Sequence, residues 1–210
     1  MLDLLPVADD ASVLDLGAGT GKLTRVLAQR YARVIAIEPL AELRAVLAGR
    51  VPEAEVRDGR AESIPLGDAE VDAVFVGQAF HWFANDVAVG EIARVLRPGG
   101  VLALLWNHAV EPSPLPDAYR QRLSELHDAA RTPPIDEHIF ERAPFGEEHE
   151  DSVPHEQVSG RDDVLAFAAS VSWIASRDDR AQILAELARL LPEGRYVFPM
   201  PTEVTWAIRV

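Results

Sequence analysis

The stretch Val13-Leu14-Asp15-Leu16-Gly17-Ala18-Gly19-Thr20-Gly21 restricts what this chain can become more than any other. Val13, Leu14 and Leu16 suit a central parallel strand covered on both faces. Thr20 reads as a helix N-cap, because Leu23, Val26 and Leu27 recur behind it at helical spacing. The glycines between give a turn that takes positive φ and lets a ligand approach bare backbone. A strand, a glycine turn and a helix N-terminus in this order form the nucleotide-binding corner of a doubly wound sheet.

Spacing separates the uses of such a corner. A phosphate-cradling P-loop needs a Gly ahead of Gly-Lys-Ser/Thr. Gly21-Lys22 is present, but Leu16 holds the first glycine's place and Leu23 follows the lysine, so the P-loop is excluded. A dinucleotide fingerprint wants its third Gly three residues after the second, and Lys22 stands there, which weakens that reading. What remains is acid-x-Gly-x-Gly-x-Gly. An isolated pattern of this kind is as compatible with a plain turn as with a ligand site, so the rest of the chain decides.

Strands and helices alternate at short spacing up to Asn107. Met1 to Leu5 read as a helical stub stopped by Pro6. Strands are expected over about Ser12–Leu16, Arg33–Ile37, Glu53–Val56, Val71–Val76 and Val101–Trp106, with helices from Thr20 to Gln29 and from Ala41 to Leu47, the latter stopped by Gly49. Asp86 caps a further helix carrying Val89, Ile92, Val95 and Leu96, which Pro98-Gly99-Gly100 terminates. This alternation implies a parallel sheet with right-handed crossovers. Beyond Asn107 come a proline-rich connection (Glu111 to Pro116), an amphipathic helix from Tyr119 to Arg131, and loop-like residues 132–160 with Pro133-Pro134 and a solvated acidic run from Glu147 to Asp151. A capping box Ser176-Arg177-Asp178-Asp179 follows, ahead of a helix bearing Ile183, Leu184, Leu187 and Leu190. The alternation Glu203 to Val210 reads as a final strand. One domain over 1–210 is expected: a core at 10–110, a helical insertion and lid at 111–200, and a last strand at 201–210.

In open α/β sheets, ligands sit outside the carboxyl ends of the strands. Strand two ends Ala36-Ile37-Glu38, and an acid about 20 residues beyond the glycine turn is placed to receive both ribose hydroxyls with its two oxygens. The strand-four tip carries Gln78-Ala79-Phe80-His81-Trp82-Phe83, and the strand-five tip Trp106-Asn107-His108.

Over about residues 10–108 these ordered motifs resemble the class I S-adenosylmethionine-dependent methyltransferases. The resemblance implies a Rossmann-like, doubly wound α/β sheet of seven strands, mostly parallel with an antiparallel last strand and a helical insertion before the last strands. It implies S-adenosyl-L-methionine as cofactor, S-adenosyl-L-homocysteine as product, and a small-molecule acceptor. Asp15 corresponds to the acid that receives the methionine ammonium. Gly17, Ala18 and Gly19, with Gly21 and Pro39, correspond to the cofactor-lining segments, and Glu38 to the ribose acid. Arg60, Ala61 and Glu62 stand at the adenine loop, followed by Ile64-Pro65-Leu66, although many members carry a small residue or an acid in place of Arg60. Gln78 and Ala79 stand near the reactive methyl, and Arg94 to Gly100 match a late structural motif. The run Gln78 to Phe83 is most similar to the branch with trans-aconitate-type and quinone-biosynthesis-type enzymes. His81 is the candidate base, its bland alternative being a packed His beside Trp82. Trp82, Trp106 and Asn107 are candidate acceptor contacts, while Phe83 reads as core. About ten residues precede strand one where family members usually have a helical lead-in, so either the start is short or residues 111–200 form the whole lid.

The net charge of −14 disfavours nucleic acid or an anionic membrane as partner. With no cysteine, thiol catalysis, disulfides and zinc–thiolate sites are excluded. His127, His138, His149 and His155 lack metal-ligand spacing and read as surface residues, so no metal is expected. No signal peptide is visible and no run nears the roughly 18 apolar residues of a membrane span, so a cytoplasmic protein is expected. Nothing sets the oligomeric state. Two competitors remain: a non-catalytic cofactor-binding module on the same fold, and an NAD(P)-dependent oxidoreductase. The second lacks a Tyr-x-x-x-Lys, Lys22 being the only lysine.

Overall fold

The computed structural model describes residues 1–108, 110–128, 140, 144–175 and 177–210. They fall into two units. The first comprises the described residues of Met1–Asn107, Ile135–Val153 and Thr202–Val210; the second, those of His108–Pro134 and Pro154–Pro201.

The first unit is built on β1 (Ser12–Leu16), β2 (Arg33–Ile37), β3 (Glu55–Arg57), β4 (Val71–Gly77), β5 (Leu96–Asn107), β6 (His149–Val153) and β9 (Thr202–Ile208). These seven pair in the order β3-β2-β1-β4-β5-β9-β6. The first five are mutually parallel, and β9 runs antiparallel between β5 and β6. The sheet is the expected one. Val13, Leu14, Leu16, Ile35 and Ile37 are almost wholly buried, because helices cover the two faces of the central strands.

Helices α1 (Lys22–Ala28), α2 (Ala41–Arg50) and α3 (Asp86–Val95) belong to this unit. Their ends correct several expectations. Gly21, at φ +83°, is the N-cap of α1, so Thr20 lies in the turn and caps nothing. Gly49 lies inside α2; the helix stops at Val51 (φ −134°), the residue that Pro52 bars from helical backbone. Asn85, one residue before Asp86, caps α3 by accepting the Ala88 N–H at 3.0 Å. That helix ends at Val95, and Leu96 already pairs with Val71 as the start of β5. Pro98-Gly99-Gly100 therefore lies within β5, where the Gly99 N–H reaches the Arg209 carbonyl at 2.9 Å.

The largest correction is β6. The acidic run read as loop forms the edge strand of the sheet, with His149 facing Trp206 and Asp151 facing Val204 across β9. Its residues alternate between half-buried and exposed, as a sheet edge permits.

The second unit holds α4 (Asp117–Asp128), α5 (Arg161–Ser170), α6 (Ser172–Ala175) and α7 (Arg180–Leu190). Strands β7 (Glu156–Gly160) and β8 (Arg195–Pro199) form a separate antiparallel pair. Tyr119, Leu126, Val164, Ile174, Ile183, Leu187 and Leu191 are its core. The second unit is thus helical with two strands of its own, while β6, inside the span expected for the insertion, belongs to the first unit. Arg131, Pro133-Pro134, His138 and the Ser176 of the expected capping box lie outside the described residues.

Candidate cofactor and acceptor site

Residues at the carboxyl ends of β1, β2, β4 and β5 carry the candidate chemistry. The turn after β1 is fastened to β2, since the Gly17 and Ala18 N–H groups donate to the Ile37 carbonyl at 2.9 and 3.0 Å. Gly17 has φ +73°, and a Cβ there would stand 2.8 Å from Ala79 Cβ. Only glycine satisfies that backbone and that approach. Gly19 is also left-handed, but a Cβ on it would meet nothing within 4 Å.

Glu38 is buried, yet its carboxylate is well served. Oε2 accepts the Gly19 N–H at 2.9 Å and Oε1 the Leu40 N–H at 3.0 Å. Each oxygen keeps a second lone pair, the acceptor geometry a vicinal diol requires. Arg44 fixes this tip further. Its guanidinium donates to the Glu38 carbonyl at 2.8 Å and the Pro39 carbonyl at 2.7 Å, and it pairs with Asp58 at 3.0 Å. Sequence reasoning missed Arg44, because on an exposed helix an arginine looks like any solvated charge.

Asp15 is 1% exposed, and the Thr24 hydroxyl donates to its Oδ2 at 2.6 Å. Burial pushes this carboxyl up to about 7, assisted by the Glu38 charge and opposed by the Thr24 bonds. Thr24 was also missed. A Thr on the buried stripe of α1 where an aliphatic residue would serve is the signal that pointed to it.

The loop after β3 is tied to α3. Glu62 accepts from Asn85 at 3.0 Å, and Ile64 N–H donates to Glu91 at 2.9 Å. Arg94 donates to the Ile64 and Leu66 carbonyls at 3.0 and 2.8 Å, which gives the structural motif at 94–100 a definite job. Ala61 is buried and Arg60 exposed.

At the β4 tip, Gln78 adopts φ +58°, and its side chain donates to the Asn107 carbonyl at 3.1 Å. The Asn107 carboxamide in turn accepts from Thr202 at 2.7 Å. His81, in a single 3-10 turn over Phe80–Trp82, lies with its ring 4.6 Å from Trp82 and 5.6 Å from Trp106. The residue is exposed, but partial desolvation beside these rings lowers the pKa of its imidazole. Trp82 is exposed, while Phe83 is half-buried, packs on the core and stands beside Gly17.

Two of the other described histidines pack against indoles. His127 meets Trp173 edge-on, and His149 stacks on Trp206 within the sheet. Among the described residues no group of three His, Asp or Glu is arranged to hold a metal. No helix among them is long and apolar enough to cross a membrane.

Residues 14–104 match the family described as "Methyltransferase domain". An uncharacterized methyltransferase of Schizosaccharomyces pombe is 41% identical over 142 residues, spanning 67% of this chain and 54% of that protein. A malonyl-[acyl-carrier protein] O-methyltransferase of Methylococcus capsulatus is 39% identical over 99 residues, covering 44% and 36%. The chain spans about half the length of the curated relatives it matches. A solved structure from Anaeromyxobacter dehalogenans, provisionally assigned as a type II methyltransferase, superposes with a TM-score of 0.73 at 27% identity over 95% of this chain and 90% of that one. The glycine turn, the buried acid after β2 and the sheet order agree with these likenesses, which together support a class I S-adenosylmethionine-dependent methyltransferase domain over residues 14–104.

Proposed function

We propose that this chain binds S-adenosylmethionine at the β1–β2 tips and transfers its methyl group to a small-molecule acceptor at the β4–β5 tips. The observation that carries the reading is Glu38, a buried carboxylate whose oxygens each accept one backbone N–H and each keep one acceptor site. The donor set fits the cofactor. Glu38 would take the ribose diol, the bare face of the glycine turn would lie along the methionine moiety, and the loop at Arg60, Ala61 and Glu62 would meet the adenine.

When bound, the sulfonium supplies an already activated methyl group. The chain's own residues then align the acceptor and exclude water. Asp15 supplies negative charge near the cofactor's cationic end; a bound cation draws its carboxyl toward the ionised form, reversing the effect of burial. Gln78, pinned to Asn107, holds the β4 and β5 tips at a fixed spacing. His81 receives a proton where the acceptor must lose one. The lid role of residues 111–200, the single-domain organisation and the trans-aconitate or quinone branch are parts of the same proposal.

A carboxylate acceptor is the second reading, favoured by the malonyl-directed relative. A binding module without turnover predicts cofactor affinity with no transfer to any acid, quinone or phenol. Calorimetric titration of S-adenosylmethionine into the wild-type chain and Glu38→Ala tests the proposal. We expect the variant to bind about 1–3 kcal/mol more weakly, the cost of stranding polar groups at the ribose. Equal affinity would remove Glu38 from the site.

A further inference from the structure

The ring cluster at the β4–β5 tips narrows the acceptor. We infer that it takes a flat, uncharged molecule with a weakly acidic hydroxyl, a phenol or enol, stacked on Trp82 and Trp106 with His81 as the base that receives the hydroxyl proton. The inference rests on the methyl-transfer reading of the same site.

Position comes first. Gly17 approaches so near to the 79–83 segment that an added Cβ would stand 2.8 Å from Ala79 and 3.4 Å from the Phe83 ring. The turn bearing His81 and Trp82 therefore continues directly from residues packed on the glycine turn. Composition comes second. Trp82 is 72% exposed, although so large an apolar ring is normally well covered, and it lies beside a second indole across His81. Such faces hold planar, apolar molecules by offset stacking.

Neither ring nitrogen of His81 has a hydrogen-bond or ion-pair partner among the described residues; its contacts are the two indoles. Partial desolvation beside the two indoles lowers the imidazole's pKa and so favours the neutral form, which has a lone pair to offer. Charge is the third observation. No arginine or lysine is a partner of Gln78–Phe83 or Trp106–Asn107 among the described residues, and the two carboxamides there are already engaged. With a net charge of −14, the chain repels a polyanionic acceptor over distance. In the transfer, the acceptor's O–H proton passes to His81. The oxygen–methyl bond forms as the carbon–sulfur bond breaks, and that bond's electron pair stays on sulfur.

The test uses 2-naphthol and succinate as probes. Each is titrated calorimetrically into the chain saturated with S-adenosylhomocysteine, then offered tritiated S-adenosylmethionine. We expect 2-naphthol alone to bind and accept label. Trp82→Ala should weaken its binding about tenfold, the equivalent of one good stacking contact. His81→Gln should leave binding within about twofold while lowering transfer about 100-fold or more. Label on succinate and none on 2-naphthol would overturn the inference. Unchanged naphthol binding in Trp82→Ala, or unchanged transfer in His81→Gln, would do the same. Failure to bind S-adenosylhomocysteine at all would instead overturn the methyl-transfer reading beneath it.

Discussion

The proposed donor corner at β1 and β2 and the proposed acceptor corner at β4 and β5 lie on one sheet and are built on opposite principles. At the donor corner, Asp15 and Glu38 are buried to within a few per cent, and each is held by hydrogen bonds. At the acceptor corner, His81 and Trp82 are exposed, and rings rather than hydrogen bonds surround the imidazole. A site for one fixed, polar cofactor gains from preorganised partners, because ordering costs are met during folding. A site for a flat acceptor needs open ring faces, which cost the fold little and leave it easy to alter.

That contrast can be broken by substitution, and the largest effect belongs to Asp15. Its carboxyl titrates near 7 in the fold against 3.8 unfolded, so the folded state binds the extra proton between those values. The penalty is absent below about pH 4, grows as pH rises, and is complete above about pH 7, a loss of about 4 kcal/mol. Asp15→Asn should remove it. Denaturant melts from pH 4 to pH 8 should show the variant gaining on wild type by roughly that amount as pH rises. Parallel curves would mean that Asp15 is not desolvated.

Gly17→Ala comes next. Left-handed backbone and the 2.8 Å approach to Ala79 together should cost about 2–4 kcal/mol. Gly19→Ala, with space around it, should cost about 1 kcal/mol. Equal losses by chemical denaturation would show that packing against the β4 tip contributes nothing at Gly17. Smallest is Trp82→Ala, whose stability should stay within about 0.5 kcal/mol of wild type because the ring is exposed. A larger loss would make Trp82 part of the core and erase the contrast.

The sheet was legible in the sequence, while its edge strand and the helix ends were not. Central strands β1 and β2 fall on their expected residues, because burial on both faces writes itself as an apolar run. Glu38 stood out as a candidate only when taken together with Asp15 and the glycines, and the structure buries it. Edge strand β6 was not legible: half-buried His149, Asp151 and Val153 between exposed neighbours read as a solvated loop, and pairing to a strand 50 residues away leaves no local trace. The caps failed for a different reason. Asn85-Asp86 offers two competent caps in succession, and only the backbone decides between them. Arg44 was invisible because its role depends on two carbonyls brought to it by the turn after β2.

The central claim is that the glycine corner binds S-adenosylmethionine through Glu38. Calorimetric titration of the wild-type chain and Glu38→Ala with S-adenosylmethionine, S-adenosylhomocysteine and NADH addresses it most directly. We expect micromolar binding of the first two, none of NADH, and a loss of about 1–3 kcal/mol in the variant. Binding of NADH alone, or affinity indifferent to Glu38, would contradict the account.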